Sequence, residues 1–403
     1  MTRTFFTKLT ALAMVLILPS ASFAACGHAN DNTAKKPKLP KETKLTIREI
    51  LDTYYKGETL YIGCATHNNI ADRQREESAA LRREFSYITP ANDFKQTEVH
   101  PDAETWSWDQ ADRWIPFARD YRQIIRVHGP ISPQCSKWAK DDSRTPEELE
   151  QNLREFMTAL CKRYNGVEGI RWMDVINETI TVKPTVDEVK GDGKVVYKVG
   201  DWYGPLSGTR QFQMPWTHIG TDDSTPLKTP RYIDIAFEIA NREAPDILQI
   251  INQNGQLEEP VVEKLKALVT YLRNVKGRRV DGIGWQAHID LGWEKVPGNV
   301  ERLAELINWC HANKLEFHIT EFNIWAKPEE AELLNEQAET FAKVVETVVS
   351  KRHSGIVGIN FWFQRTGGSV SHGIVKCAMW NKDGSPRPAY DKVKQVLLEE
   401  AGR

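Results

Sequence analysis

Two glutamates close short apolar runs, and both sit where a carboxylate could do chemistry. The first run, Ile170-Arg171-Trp172-Met173-Asp174-Val175-Ile176, reads as a buried strand and ends in Asn177-Glu178-Thr179. The second, Leu315-Glu316-Phe317-His318-Ile319-Thr320, ends in Glu321-Phe322-Asn323. Taking a carboxylate out of water at the tip of a buried strand is costly, so such a group either faces solvent or belongs to a site. Two of them facing one cleft can do what neither does alone. One acid protonates a leaving oxygen while the other carboxylate attacks or activates water, the division of labour that cleavage of a glycosidic bond requires.

The elements that must position these groups repeat along the chain. Apolar strand segments are predicted at 60–65, 87–90, 124–127, 170–177, 247–252, 282–287, 316–320 and 357–361. Amphipathic helices are predicted at 72–85, 110–121, 146–164, 232–242, 260–274, 299–312, 328–350 and 390–400. Apolar strands separated by such helices imply a parallel sheet covered on its outer face. Eight units predict an α/β fold, a (β/α)8 barrel. A doubly wound sheet would carry a Gly-rich phosphate turn after its first strand, and none is present. One unit is too long: some fifty residues separate Thr179 from the helix near Tyr232. Gly191-Asp192-Gly193 inside it marks a hairpin-like insertion at 181–229, on the face where barrel sites lie. Trp202, Tyr203 and Trp216 in this insert either line the cleft or pack the insert onto the barrel.

Bulk numbers set the outer bounds. A chain of 403 residues with 40% hydrophobic content accommodates one large barrel or two ordinary domains. A net charge of −2 gives no polyanion-binding signature, so no nucleic-acid partner is expected. Thirteen tryptophans suit both core packing and stacking on sugar rings. Residues 1–25 read as an export signal: Arg3 and Lys8, a short apolar core, then small residues up to Ala25. Cys26 follows at once, as in a bacterial lipoprotein whose cysteine carries the lipid. Plain cleavage after Ala24 is the competing reading, and both export the protein to the cell surface, periplasm or medium. Residues 26–44 read as a flexible polar tether and 45–403 as the barrel. Cys64, Cys135, Cys161, Cys310 and Cys377 lack close spacing, which argues against zinc and leaves them as buried apolar residues or one disulfide.

In a barrel the C-terminal strand ends converge on one mouth. Reading them in turn gives Asn92 and Lys95, His128, Asn177 and Glu178, Gln286 and His288, Glu321, and Trp362. Groups able to hydrogen-bond or stack at so many strand ends point to a site.

The same residues carry a resemblance. Trp172-Met173-Asp174-Val175-Ile176-Asn177-Glu178 resembles the W-D-V-V-N-E strand of family 10 glycoside hydrolases, mostly endo-β-1,4-xylanases. His318-Ile319-Thr320-Glu321-Phe322-Asn323-Ile324 resembles their I-T-E-L-D-I strand, and Gly282-Ile283-Gly284-Trp285-Gln286-Ala287-His288 matches G-I-G-x-Q-x-H. Ala91-Asn92-Asp93-Phe94-Lys95 resembles E-N-x-M-K without its first residue, and Pro386-Arg387-Pro388-Ala389-Tyr390 is similar to N-P-K-P-A-Y. The resemblance implies Glu178 as general acid/base and Glu321 as nucleophile, with His288 set against Glu321. It further implies a retaining double displacement with the carboxyl groups roughly 5–5.5 Å apart. Glu178 then needs a raised pKa and Glu321 an ionised side chain. Asn177 would hold a sugar 2-hydroxyl, His128, Lys95, Asn92 and Gln286 would bind the glycan, and Trp362 would form a stacking wall. The departures lie in groups contacting the next sugar. Ala91 and Gln96 replace a glutamate and a tryptophan, and Val127-His128-Gly129-Pro130-Ile131-Ser132-Pro133 departs from G-H-T-L-V-W-H, whereas Gln134 and Trp138 keep Q-x-x-x-W. Ile251-Asn252-Gln253-Asn254-Gly255 departs from I-N-D-Y-N. Xylan or a related plant or algal β-glycan is the implied substrate, with no cofactor, no metal, a monomeric chain and no membrane contact except a lipid on Cys26. Two rivals stand beside it. A non-catalytic glycan-binding barrel would dispense with one glutamate, and a metal-dependent hydrolase would need a tighter histidine cluster than this chain has.

Overall fold

The computed structural model describes residues 44–402 except 56, 58, 73, 74, 142, 190–192, 205–213 and 367–372. The predicted export signal, Cys26 and the tether up to residue 43 lie outside the described residues.

Eight strands follow one another around a closed sheet: β1 (Leu60–Thr66), β2 (Tyr87–Pro90), β3 (Ile124–Val127), β4 (Ile170–Asn177), β5 (Leu248–Gln253), β6 (Gly282–Trp285), β7 (Glu316–Ala326) and β8 (Val357–Phe361). Each pairs in parallel with the next, and Leu60–Cys64 of β1 closes the ring on Val357–Phe361 of β8. Strands without a free edge can be apolar on both faces, which is why β2 and β8 are buried throughout. The (β/α)8 reading of the sequence is thus the observed fold.

The helices cover the outside. Pro146–Tyr164 starts with a reciprocal cap between Thr145 and Glu148 and a proline in its first turn, then buries Leu149, Leu153, Phe156 and Leu160 at helical spacing. A helix absent from the sequence reading, Ile47–Tyr54, precedes β1. Its Arg48 Nη1 donates to the carbonyls of Arg82 and Tyr121, and its Ile47 N–H donates to Glu84, so it ties helix ends together at the N-terminal side of the sheet.

Several boundaries differ from expectation for visible reasons. The helix predicted at 110–121 is two pieces, Asp109–Asp112 and Trp114–Tyr121. The one predicted from 328 starts as a helix at Leu334. Strand β6 stops at Trp285 because Ala287 takes a left-handed conformation, φ 58°. The chain then re-forms a short strand, His288–Asp290, against the outer half of β7, which runs on to Ala326.

The predicted insertion after β4 contains the antiparallel hairpin Thr185–Val189 and Gly193–Tyr197, its tip falling outside the described residues. Trp216 is wholly buried in a short turn, Pro215–Ile219. Trp202 donates its indole N–H to the Leu227 carbonyl at 2.9 Å while Lys264 lies over its ring. These two aromatics pack the insert onto the barrel. Cys64, Cys135, Cys161, Cys310 and Cys377 are buried free thiols. Among the described residues no helix is long and apolar enough to cross a membrane.

Inside the barrel, missing side chains make room for large ones. A Cβ on Gly63 would stand 2.6 Å from the Tyr87 ring, and one on Gly284 would stand 2.7 Å from Asn252 Oδ1. The interior therefore holds polar and aromatic groups, Tyr87, Arg126, Asn252 and His318, all inaccessible to solvent.

Candidate active site

The polar residues at the strand ends meet in one network. Asn252, at the end of β5, donates from one Nδ2 to Asn177 Oδ1 at 2.8 Å and to Glu321 Oε1 at 3.0 Å. Its own Oδ1 accepts from the Thr320 hydroxyl at 2.6 Å, which fixes the amide's orientation. Gln286 spans the other side, donating to Glu178 Oε1 at 2.8 Å and Asn177 Oδ1 at 3.1 Å. Glu178 and Glu321 therefore share one amide scaffold, Gln286–Asn177–Asn252.

The backbone that presents them is unusual at two places. Glu178 itself sits at φ 59°, and its N–H donates to the Asn252 carbonyl at 3.0 Å. Left-handed backbone at a non-glycine residue costs about 1–2 kcal/mol and persists where surroundings over-determine it. Here Gln253 does so: its Oε1 accepts from the N–H groups of Thr179 and Ile180 at 3.0 and 3.1 Å, and its Nε2 donates to the Ile180 carbonyl. The second place is Ala287, whose turn sends Gln286 toward Glu178 and His288 toward Glu321.

Glu321 is 4% exposed. Burial pushes its pKa up, but His128, His288 and Lys95 outweigh it and hold the carboxyl below the usual carboxylate range. His288 Nε2 stands 3.2 Å from Oε2 and His128 Nε2 3.7 Å from Oε1. His288 Nδ1 lies 2.9 Å from Asn323 Oδ1, and its ring stacks on Trp325. His128 Nδ1 lies 2.9 Å from Asp174, a carboxylate in the barrel interior gripped by Arg126 through Nε at 2.9 Å and Nη2 at 2.5 Å. The chain Arg126–Asp174–His128 thus turns Nε2 of His128 toward Glu321.

Lys95 Nζ donates to Asn92 Oδ1 at 3.1 Å and to Gln134. Burial lowers the pKa of this ammonium against the pull of Glu321, Glu178 and Asp174. Gly129, at φ 58°, leaves space beside it: a Cβ there would lie 3.3 Å from Lys95 Cε and 3.9 Å from Asn177 Cβ. Trp362 is half-buried and closes the wall, its ring 5.3 Å from His128 and 6.2 Å from His288. All nine strand-end residues singled out in the sequence lie at one mouth. Gln96, one of the departures, is buried and structural: it bonds Asn152 and accepts from the Ser136 N–H.

The sequence reading did not single out Arg126, Asp174, Asn252, Gln253 or Asn323. A signal existed for the first two, since opposite charges stand inside the apolar strands β3 and β4. The amides gave none, because their value lies in orientation. Among the described residues no cluster of three or more His, Cys, Asp or Glu could hold a metal ion.

A parallel barrel whose mouth joins two glutamates through shared amides, one of them ionised by flanking histidines, has the parts of a glycosidase. Comparison with known proteins agrees. Residues 50–204 and 220–396 match the sequence model of Glycosyl hydrolase family 10. The chain is similar to endo-1,4-β-xylanase B of Thermotoga neapolitana, with 23% identity over 361 residues, 85% of this chain and 89% of that one. It is also similar to endo-1,4-β-xylanase A of Humicola insolens, with 27% identity over 327 residues, 79% and 76% of the two chains. Among solved structures, xylanase 10B from Thermotoga petrophila in complex with xylobiose superposes with a TM-score of 0.68 at 25% identity, covering 90% of this chain and 100% of that one. The chain belongs to glycosyl hydrolase family 10 and is a retaining glycosidase.

Proposed function

We propose that this enzyme cleaves β-1,4-linked xylan, or a closely related β-glycan, with Glu321 as nucleophile and Glu178 as general acid/base. The carrying observation is that Glu321 is buried yet ionised by its cationic and imidazole neighbours, with Glu178 held across the same amide scaffold. In the first step a Glu321 oxygen bonds to the anomeric carbon as the glycosidic C–O bond breaks, and Glu178 gives its proton to the departing oxygen. The resulting ester is neutral at Glu321. Glu178, now a carboxylate, takes a proton from water as that water's oxygen displaces Glu321 from the anomeric carbon. One water is consumed, and the configuration, inverted twice, is retained.

The supporting residues follow their bonding. Asn177 has its Oδ1 occupied by two amide donors, so its Nδ2 remains to donate to a sugar 2-hydroxyl. Lys95, Asn92, His128, Gln286 and His288 supply hydrogen bonds around the sugar, and Trp362 a stacking face. The xylanase names of the relatives support the substrate. Export by residues 1–25, with lipid on Cys26, would set the enzyme at a bacterial surface where polymer is met, and the mass of the mature N-terminus tests that arrangement.

The decisive experiment is reducing-sugar release from plain and decorated xylans, mixed-linkage glucan and cellulose by wild type and Glu321→Ala. Xylan should be cleaved by wild type and by the variant at least about a thousandfold more slowly. Activity confined to another glycan would replace the substrate. Full activity in Glu321→Ala would remove the nucleophile assignment, and binding without cleavage by wild type would sink the catalytic reading.

A further inference from the structure

The mouth of the barrel opens between the ends of β8 and β1 into a cavity of about 540 Å³. Its inner wall is the pair His67 and Phe363, stacked at 3.9 Å with 14° between ring planes. Phe363 lies 5.3 Å from Trp362, and Trp362 meets His128, the neighbour of Glu321. An edge of rings thus runs from the catalytic centre into the cavity. Burial lowers the His67 pKa from 6.5, which favours the uncharged ring.

The charge lining the cavity is lopsided. Arg75, Arg365, Lys376 and Lys382 face it against one carboxylate, Glu77. Arg365 is already paired, 3.4 Å from Glu77 and 3.5 Å from Glu76. Arg75, Lys376 and Lys382 make no ion pair among the described residues. Each stands on fixed backbone. Lys376 belongs to a short strand, Val375–Cys377, paired with the end of β7. Arg365 donates to the Lys382 carbonyl at 3.2 Å and so holds that turn. Arg75 directly precedes the helix Glu76–Glu84.

Cations gathered in a concave site repel one another and favour an anion. A neighbouring cavity, reached across the strand Val375–Cys377 that pairs with Ile324–Ala326, has the reverse sign: it is lined by Asp290, Glu329 and Glu330, with Lys327 the one cation. A neutral polymer would use neither bias.

We propose that the β8–β1 cavity is a subsite for an anionic substituent on the glycan, a uronate carboxylate or a sulfate ester, bound by Arg75, Lys376 and Lys382 beside the His67–Phe363 edge. This rests on the reading of the chain as a β-glycan hydrolase. It makes the preferred substrate an acidic, decorated polymer.

The test compares kcat/KM on glucuronate-bearing xylan and on the same polymer with its carboxyl groups reduced to alcohols. Wild type should favour the acidic polymer, and Lys376→Gln/Lys382→Gln should lower that acidic-to-neutral ratio roughly tenfold, as expected for lost charge-assisted contacts. Lys343→Gln, on an outer helix and paired with Glu346, serves as the charge-matched control and should keep the wild-type ratio. Sulfated xylan in place of the glucuronate polymer identifies which anion is taken. Equal ratios in wild type and double variant, or no wild-type preference for either anionic polymer, would overturn the proposal. Failure to cleave any xylan would instead defeat the substrate reading. In that case retardation in gels containing the acidic polymer still reads the cavity, equal mobility of wild type and double variant counting against it.

Discussion

Burial alone pushes the Glu321 carboxyl toward its protonated form, in which the nucleophile role proposed for it would be lost. The opposing influences come from three different strand ends: His128, His288 and Lys95. Their combined effect leaves the folded pKa below 4.5. The sign follows directly. A group active when ionised loses function as pH falls through its pKa, so the acid limb of kcat/KM lies below pH 4.5. The largest single influence opposing burial comes from His128, so His128→Gln should move that limb upward. A pH profile of kcat/KM for both proteins decides it, and an unmoved limb would mean that His128 does not help to ionise Glu321. The substitution also frees Asp174 from its imidazole partner while leaving it bound to Arg126, so the barrel interior keeps its ion pair.

At the scale of elements, catalysis depends on how β4 and β6 end. Each is followed within two residues by a left-handed residue, Glu178 at φ 59° after β4 and Ala287 at φ 58° after β6. The bend at Ala287 is what lets adjacent side chains, Gln286 and His288, serve different carboxylates. A β-branched residue tolerates that backbone poorly. Ala287→Val should cost about 1–3 kcal/mol and depress kcat, as Gln286 and His288 lose their aim, whereas Ala287→Gly should be tolerated. Thermal melts and kcat on one substrate suffice, and an Ala287→Val enzyme as stable and active as wild type would discard the argument. The bend also marks how far the sequence could be read. Period and burial located all eight strands, because apolar runs between amphipathic helices are a backbone-scale signal. Glu178 and Glu321 were legible as carboxylates that burial would otherwise forbid. The turn at Ala287 was not, since alanine carries no sign of positive φ. The pairing of Arg126 with Asp174 was half-legible: the charges were visible in the strands, but their meeting depends on β3 lying beside β4. The orientations of Asn252 and Gln253 were illegible, being set by Thr320 and by N–H groups that only the closed barrel brings near.

For the molecule as a whole, the interior that supports the site also sets its acid tolerance. His318 is wholly buried in the barrel, its Nε2 2.9 Å from Glu316 and its ring 5.1 Å from Trp172. Burial lowers its pKa from 6.5, against Glu316 and Asp174, which favour the proton, and with Arg126, which opposes it. The unfolded chain therefore takes up that proton more readily than the folded one, and stability must fall as pH drops below about 6.5. Asp174 and Glu316 act in a separate window. Burial raises both, but Arg126 and His128 around Asp174, and His318 with Trp172 and Arg171 around Glu316, hold them below 3.8 and 4.5. Their contribution is present at higher pH and is lost only as the pH falls beneath those values. One unshared proton changes stability by about 1.4 kcal/mol per pH unit, roughly 2 °C in Tm for a domain of this size. His67 and His311 are also lowered by burial, yet both are partly accessible, so the slope between pH 6.5 and 5 should belong chiefly to His318. Melting curves at half-unit pH steps should flatten across that window in His318→Gln and keep most of their slope in His311→Gln. An undiminished slope in His318→Gln would place the proton uptake outside the barrel interior, and acid unfolding would then begin at the surface histidines rather than in the core that aligns Glu321.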